Sequence, residues 1–182
     1  MGEACFVLIR HAESAWNAAG RWQGHADPPL TPRGRRQAAR LAGALAGQGI
    51  EVLVASDLAR AAETARVLGA ALGLEAFPDP RFRELDVGAW TGLRREEIAR
   101  RDPARLARFD AGDADVAAGG AESRRAIRRR VRAAAAALAA AHPGRRIALV
   151  THLGVIRALL PGAELANAEW RLARAGELAP PG

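Results

Sequence analysis

The sequence predicts an α/β fold with a mostly parallel central sheet. Three observations carry this reading. Short apolar runs alternate with amphipathic segments, those segments have their own start and stop residues, and no stretch repeats another. The 182 residues suffice for one domain with a sizeable core, expected to span residues 1–182.

Cys5 to Ile9 reads as a short buried strand because CFVLI is apolar without a break. Residues 18–31, rich in Gly, Asp and Pro, read as loop. Thr31-Pro32 joins a capping hydroxyl to a proline at the first helical position. A helix therefore starts there, with Ala38, Leu41, Ala42 and Leu45 on one face and Gly47 and Gly49 ending it. Val52 to Ala55 is a second strand. Ser56 or Asp57 is expected to cap a helix that runs to Leu72, with Gly73 as its stop. Glu75 to Phe77 is a possible third strand.

Residues 81–92 read as a loop or broken strand. Short helical pieces follow at RREEIARR and PARLARF, then a linker-like loop over 110–121. A long helix over about 122–141 carries a core stripe of Ile127, Val131, Ala134, Ala135 and Leu138. Arg124, Arg128 and Arg132 lie on another face at i, i+4, i+8. His142-Pro143-Gly144 ends it. Arg146 to Val150 is a strongly apolar strand, Gly154 to Leu160 a helix, and Glu169 to Ala173 an edge strand. Residues 176–182 are expected to fray.

The formal net charge is +7, and all 27 basic residues are Arg. Most of that charge reads as a solvated surface, while a positive field favours anionic partners such as phosphate esters or nucleic acid. No apolar run approaches the roughly 20 residues of a membrane span, so no membrane partner is expected. One cysteine excludes an intrachain disulfide, and Cys5 reads as core packing. With no signal-peptide pattern, a cytoplasmic setting is expected.

In open α/β sheets ligands bind beyond the carboxyl ends of the strands. Two strands here end in histidine-bearing motifs: CFVLI is followed by Arg10-His11, and IALV by Thr151-His152. Adjacent parallel strands would bring the two histidines together. A third strand end leads into DLARAAET and places Arg60 one turn into a helix. A single histidine would read as a satisfied core residue; two at comparable strand ends point to a site. Two His and two Arg without a carboxylate cluster suit a phosphate better than a metal. There is no HExxH, no CxxC and no GxxxxGK[ST] loop, so neither a metal nor another cofactor is expected.

Five blocks, in order, carry a family resemblance along nearly the whole chain: LIRHAESAWN, QGHADPPLTPRG, SDLARAAETA, RELDVGAWTG and VTHLGVIRALL. The chain resembles the histidine phosphatase superfamily, the phosphoglycerate mutase-like proteins. The resemblance implies a three-layer α/β/α architecture and a phosphohistidine mechanism. By resemblance His11 is the nucleophile, Arg10, Arg60 and His152 bind the phosphoryl oxygens, and Glu84 is general acid and then general base. Asn17 contacts phosphate or substrate, with Gln23 and Gly24 nearby, and Leu153 borders the pocket mouth. Ala12 and Leu153 stand where the family often has Gly; a methyl at Ala12 would crowd the loop if that backbone needs φ > 0.

The expected activity is metal-independent hydrolysis of a small phosphorylated metabolite. The alternative is a phosphoglycerate mutase. By resemblance, mutases carry a long insertion after the acid/base block, and Thr91 to Ala121 is short here. A third reading, an Arg-rich nucleic-acid-binding protein, rests on the arginine row of the long helix but lacks interleaved aromatics, so a nucleic-acid partner is not expected. Oligomeric state is not legible in the pattern.

Overall fold

The structure, a computed structural model, describes residues 2–180. A five-stranded sheet is built from β1 (Cys5–Arg10), β2 (Val52–Ala55), β3 (Ala76–Pro78), β6 (Arg146–Thr151) and β7 (Trp170–Arg174). Their order is β3-β2-β6-β1-β7. The first four are parallel, and β7 pairs antiparallel with β1 at the edge. A two-stranded ribbon, β4 (Ala117–Ala118) and β5 (Glu122–Ser123), lies apart from the sheet.

Both faces of the sheet are covered, which is why its strands read as unbroken apolar runs. Val7, Ile9, Leu53, Ala55, Ala148 and Val150 pack against helices α2 (Pro32–Leu45) and α3 (Ala59–Leu72). The alternate residues Phe6, Leu8, Val54, Ile147 and Leu149 pack on the other face against α6 (Arg124–Ala141) and α7 (Leu153–Leu159). This is a three-layer α/β/α architecture. Helix α1 (Ala15–Ala18) is a single turn capped by Ser14, while α4 (Arg95–Arg101) and α5 (Pro103–Asp110) occupy the segment before the ribbon.

The expected faces of the long helices hold. Ala38, Leu41, Ala42 and Leu45 are buried on α2, and Ile127, Val131, Ala134, Ala135 and Leu138 on α6. Thr31 caps α2 through Gly34 N, and Gly73 ends α3 in the left-handed conformation at φ 68°.

The start of α3 corrects the sequence reading. Its N-cap is Leu58, which has no side-chain cap, and Asp27 from the distant loop accepts from Ala59 N at 2.5 Å. Ser56 and Asp57 are engaged elsewhere, with His152 and Arg83. Residues 81–92, expected as a loop or broken strand, contain two single turns of 3₁₀ helix, Pro80–Phe82 and Gly88–Trp90. The tail expected to fray from residue 176 is tied as far as Pro180. Gly176 N donates to Glu3, Ala179 N to Leu159 O at 2.9 Å, and Arg132 Nη1 to Pro180 O at 3.3 Å. Residues 181–182 lie outside the described residues.

Register carries the fold to the site. Arg10 pairs with Thr151 across β1 and β6, so His11 and His152 leave the sheet side by side. Ala55 pairs with Val150 on the other flank of β6, so Ser56 emerges next to them.

Candidate active site

Beyond the carboxyl ends of β1, β2 and β6 lies a cleft of about 640 Å³. Arg10, His11, Asn17, Gln23, Gly24, Arg60, Glu84 and Leu153 all line it. His152 does not reach its wall. It is fully buried behind His11, the two rings 5.1 Å apart between centroids and tilted by 60°.

His11 is 3% exposed, and its Nδ1 lies 2.7 Å from the carbonyl of Ala12. A carbonyl only accepts, so Nδ1 carries the proton and Nε2 keeps its lone pair. Burial pushes the His11 pKa down to about 3, with the Arg60 and Arg10 charges adding to the effect. The imidazole is therefore neutral across the physiological range. The φ > 0 concern at Ala12 does not arise, since Ala168 is the only non-glycine with positive φ among the described residues. Ala12 packs with Leu30 and Ala38, and its N–H donates to Thr64 Oγ1 at 3.1 Å.

Arg60 is buried and Arg10 partly buried, and neither cation has a carboxylate partner among the described residues. Arg60 is 1% exposed and donates to the carbonyls of Ala26 at 2.7 Å and Gly24 at 2.9 Å. Arg10 donates to Leu165 O at 2.7 Å. The Nε atoms of both are buried without a hydrogen-bond partner. Desolvation lowers both pKa values. Buried charge left uncompensated is costly unless an anion joins it, so such a pair is suited to meeting an anion. Gly24 has φ 49°, and a Cβ there would lie 2.8 Å from Val87 Cγ2, so glycine is required where the loop meets Arg60.

Asn17 Oδ1 accepts from Ser14 N at 3.1 Å and from Asn167 Nδ2 at 3.3 Å, and Gln23 Oε1 lies 2.7 Å from Ser14 Oγ. Their amide N–H groups are left to the cleft. Glu84 does not pair with its neighbours, because Arg81 binds Asp79 and Arg83 binds Asp57. Its Oε1 instead accepts from Leu85 N at 2.8 Å, and its Oε2 from Gly154 N at 3.2 Å. Arg130 of α6 holds the Glu84 segment in place, donating to the carbonyls of Arg81 at 2.8 Å and Arg83 at 3.0 Å while paired with Glu122. His25 adds a bond to Glu84 O at 2.8 Å.

Residues that the sequence reading missed act in support. Ser56 Oγ lies 2.8 Å from His152 Nε2 and accepts from Leu58 N at 3.3 Å. The other ring nitrogen, Nδ1, is buried without a partner. Desolvation, then Arg60 and His11, hold the His152 pKa well below its ordinary value. Asn167 donates to His11 O at 3.0 Å. Thr64 links Ala12 N to Arg60 O, which it donates to at 2.7 Å. Ser56 and Thr64 fall within a quoted block, while Asn167 has no sequence signal.

The sequence profile of the histidine phosphatase superfamily (branch 1) matches residues 6–177. This chain belongs to that superfamily. Phosphoglycerate mutase-like protein 4 of Arabidopsis thaliana is 40% identical over 156 residues, which cover 84% of this chain and 68% of that protein. Phosphoserine phosphatase 1 of Hydrogenobacter thermophilus is 34% identical over 153 residues, covering 84% and 72%. Among solved structures, a mycobacterial glucosyl-3-phosphoglycerate phosphatase in complex with VO3 superposes with TM-score 0.84 at 36% identity, covering 92% of this chain and 91% of that one. The α-ribazole phosphatase of Shigella flexneri superposes with TM-score 0.82 at 26% identity, covering 92% and 89%. The chain is thus an enzyme of the histidine phosphatase superfamily whose cleft joins all but one of the expected site residues.

Proposed function

We propose that this histidine phosphatase is a metal-independent phosphomonoester hydrolase that works through a phosphohistidine on His11. One observation carries the reading: a neutral, buried imidazole with a free Nε2 shares the cleft with two guanidiniums, one buried and one partly buried, that lack anionic partners. Phosphoryl transfer asks for this combination, an in-line nucleophile and neutralisation of the equatorial oxygens.

In the first step Nε2 of His11 attacks phosphorus and the bond to the ester oxygen breaks. The departing alkoxide takes the proton of the Glu84 carboxylic acid. The imidazolium character that develops on His11 is supported by the Ala12 carbonyl at Nδ1–H. Arg10 and Arg60 hold the oxygens, with the amide groups of Asn17 and Gln23 as further donors. In the second step the Glu84 carboxylate takes a proton from water, whose oxygen attacks phosphorus. The P–N bond breaks and its electrons return to Nε2. The cation work falls to arginine; among the described residues no three His, Cys, Asp or Glu side chains gather in a metal-binding group. His152 stands behind His11 as a neutral partner hydrogen-bonded to Ser56.

A phosphoglycerate mutase would use the same first step and pass the phosphoryl group to a second hydroxyl instead of water. The short segment between residues 91 and 121, folded into α4, α5 and the ribbon, favours water as the acceptor.

Rapid quenching with a radiolabelled phosphate ester tests the proposal. Wild-type protein is expected to trap acid-labile, alkali-stable phosphate on His11, and His11→Ala to trap none and to lose turnover. A His11→Ala variant that keeps near wild-type rates would refute it.

A further inference from the structure

Arg124, Arg128 and Arg132 form one row on α6, yet the fold treats them differently. Arg132 does not line the cleft and donates to Ala158 O at 3.0 Å. Arg124 and Arg128 line the cleft, and neither side chain makes a hydrogen bond or ion pair with a described residue. Twelve other arginines in the chain are ion-paired. Arg124 is half-buried, its guanidinium carbon 3.9 Å from the centroid of the Phe109 ring. This stacking fixes the group at low entropic cost and leaves its N–H edge to the cleft.

Like charges one turn apart on a helix repel. Burial disfavours the charge of Arg124, and the fields of Arg128 and Arg157 add to that while Asp110 opposes it. Arg157 has Glu164 as its counter-ion, whereas Arg124 and Arg128 have none. The same cleft has apolar lining from Ile127, Leu85, Val87 and Phe109. A solvated charge row explains Arg129, which is exposed off the cleft, but not a stacked, half-buried guanidinium facing inward.

We propose that Arg124 and Arg128 form a second anion subsite, so that the substrate is a phosphomonoester carrying a second anionic group, a carboxylate or a phosphate, across a short partly apolar body. This rests on the phosphatase reading above. One anionic end is held by Arg10 and Arg60, where the ester is cut, and the other by the unpaired pair on α6. The same row that suggested nucleic acid in the sequence is thereby assigned to a small ligand with two anionic groups.

The test uses matched substrates at low ionic strength. 3-Phosphoglycerate against glycerol 3-phosphate reports a carboxylate, and fructose 1,6-bisphosphate against fructose 6-phosphate reports a second phosphate. At least one pair is expected to show a preference of about tenfold or more in kcat/KM for the member with two anionic groups, expressed mainly in KM. The Arg124→Gln/Arg128→Gln variant is expected to bring that ratio near one, while Arg129→Gln, of equal charge change per site, keeps it. Absence of preference in both pairs, or its survival in the double variant, overturns the subsite but leaves the hydrolase standing. Failure of wild-type protein to hydrolyse any ester or to trap phosphate on His11 overturns both.

Discussion

Replacing Gly154 by alanine separates the position of Glu84 from its presence. A Cβ at Gly154 would lie 2.2 Å from Glu84 Oε1 and 3.1 Å from its Cδ. Cβ contacts below 3.0 Å essentially do not occur, so the carboxylate must retreat by at least about 0.8 Å. Backbone cannot be the part that yields cheaply, but the far end of a glutamate can. The retreat also strains the 3.2 Å bond from Gly154 N to Oε2. Stability should barely fall, because alanine in a helix is favoured over glycine by roughly 1 kcal/mol. Catalysis should suffer more, since a misplacement near 1 Å can reduce a rate by about 10²-fold and general acid help is worth roughly 10²–10⁴-fold.

The loss should follow the leaving group. An alkyl phosphate departs as a strong base and needs the Glu84 proton; p-nitrophenyl phosphate departs without it. Gly154→Ala is therefore expected to lower kcat/KM on the alkyl ester by about 10²-fold and on the aryl ester by a few-fold at most, where phosphorylation of His11 limits both. Glu84→Gln sets the upper limit of the same pattern. Steady-state kinetics on two esters, with thermal unfolding as the control for folding, completes the measurement. Equal losses on both esters, or an unimpaired alkyl rate, would refute the assignment of proton transfer to Glu84.

Two further outcomes are expected. His11 and His152 are neutral in the fold and depressed below their ordinary pKa, so below about pH 6.5 the unfolded chain binds more protons. Stability should thus fall as pH drops from 6.5 toward 3, each imidazole contributing up to ~1.4 kcal/mol per pH unit. Denaturant titrations should show a shallower acid decline in His11→Asn; an unchanged slope would count against a buried neutral imidazole. Turnover should persist in excess EDTA, because arginine supplies the positive charge; loss on chelation with rescue by one divalent ion would overturn that account.

The sequence by itself determined the strands β1, β2 and β6, the buried faces of α2 and α6, and the residues at three strand ends. These depend on local periodicity and on punctuation by Thr31-Pro32, Gly73 and His142-Pro143-Gly144, which neighbours in the chain can specify. The five blocks likewise named eight residues that the fold brings into one cleft. Only the tertiary structure decided the rest. The cap of α3 comes from Asp27 instead of Ser56 or Asp57, because a loop over thirty residues away in sequence reaches Ala59 first. Gly154 abuts Glu84, Asn167 holds the carbonyl of His11, and His152 is placed behind the nucleophile instead of on the cleft wall. Arg124 and Arg132 share one helical row, yet one stacks on Phe109 beside the cleft and the other bonds to α7. A helical period fixes which residues share a face, but the charge at a given point depends on what segments distant in the chain pack against that face.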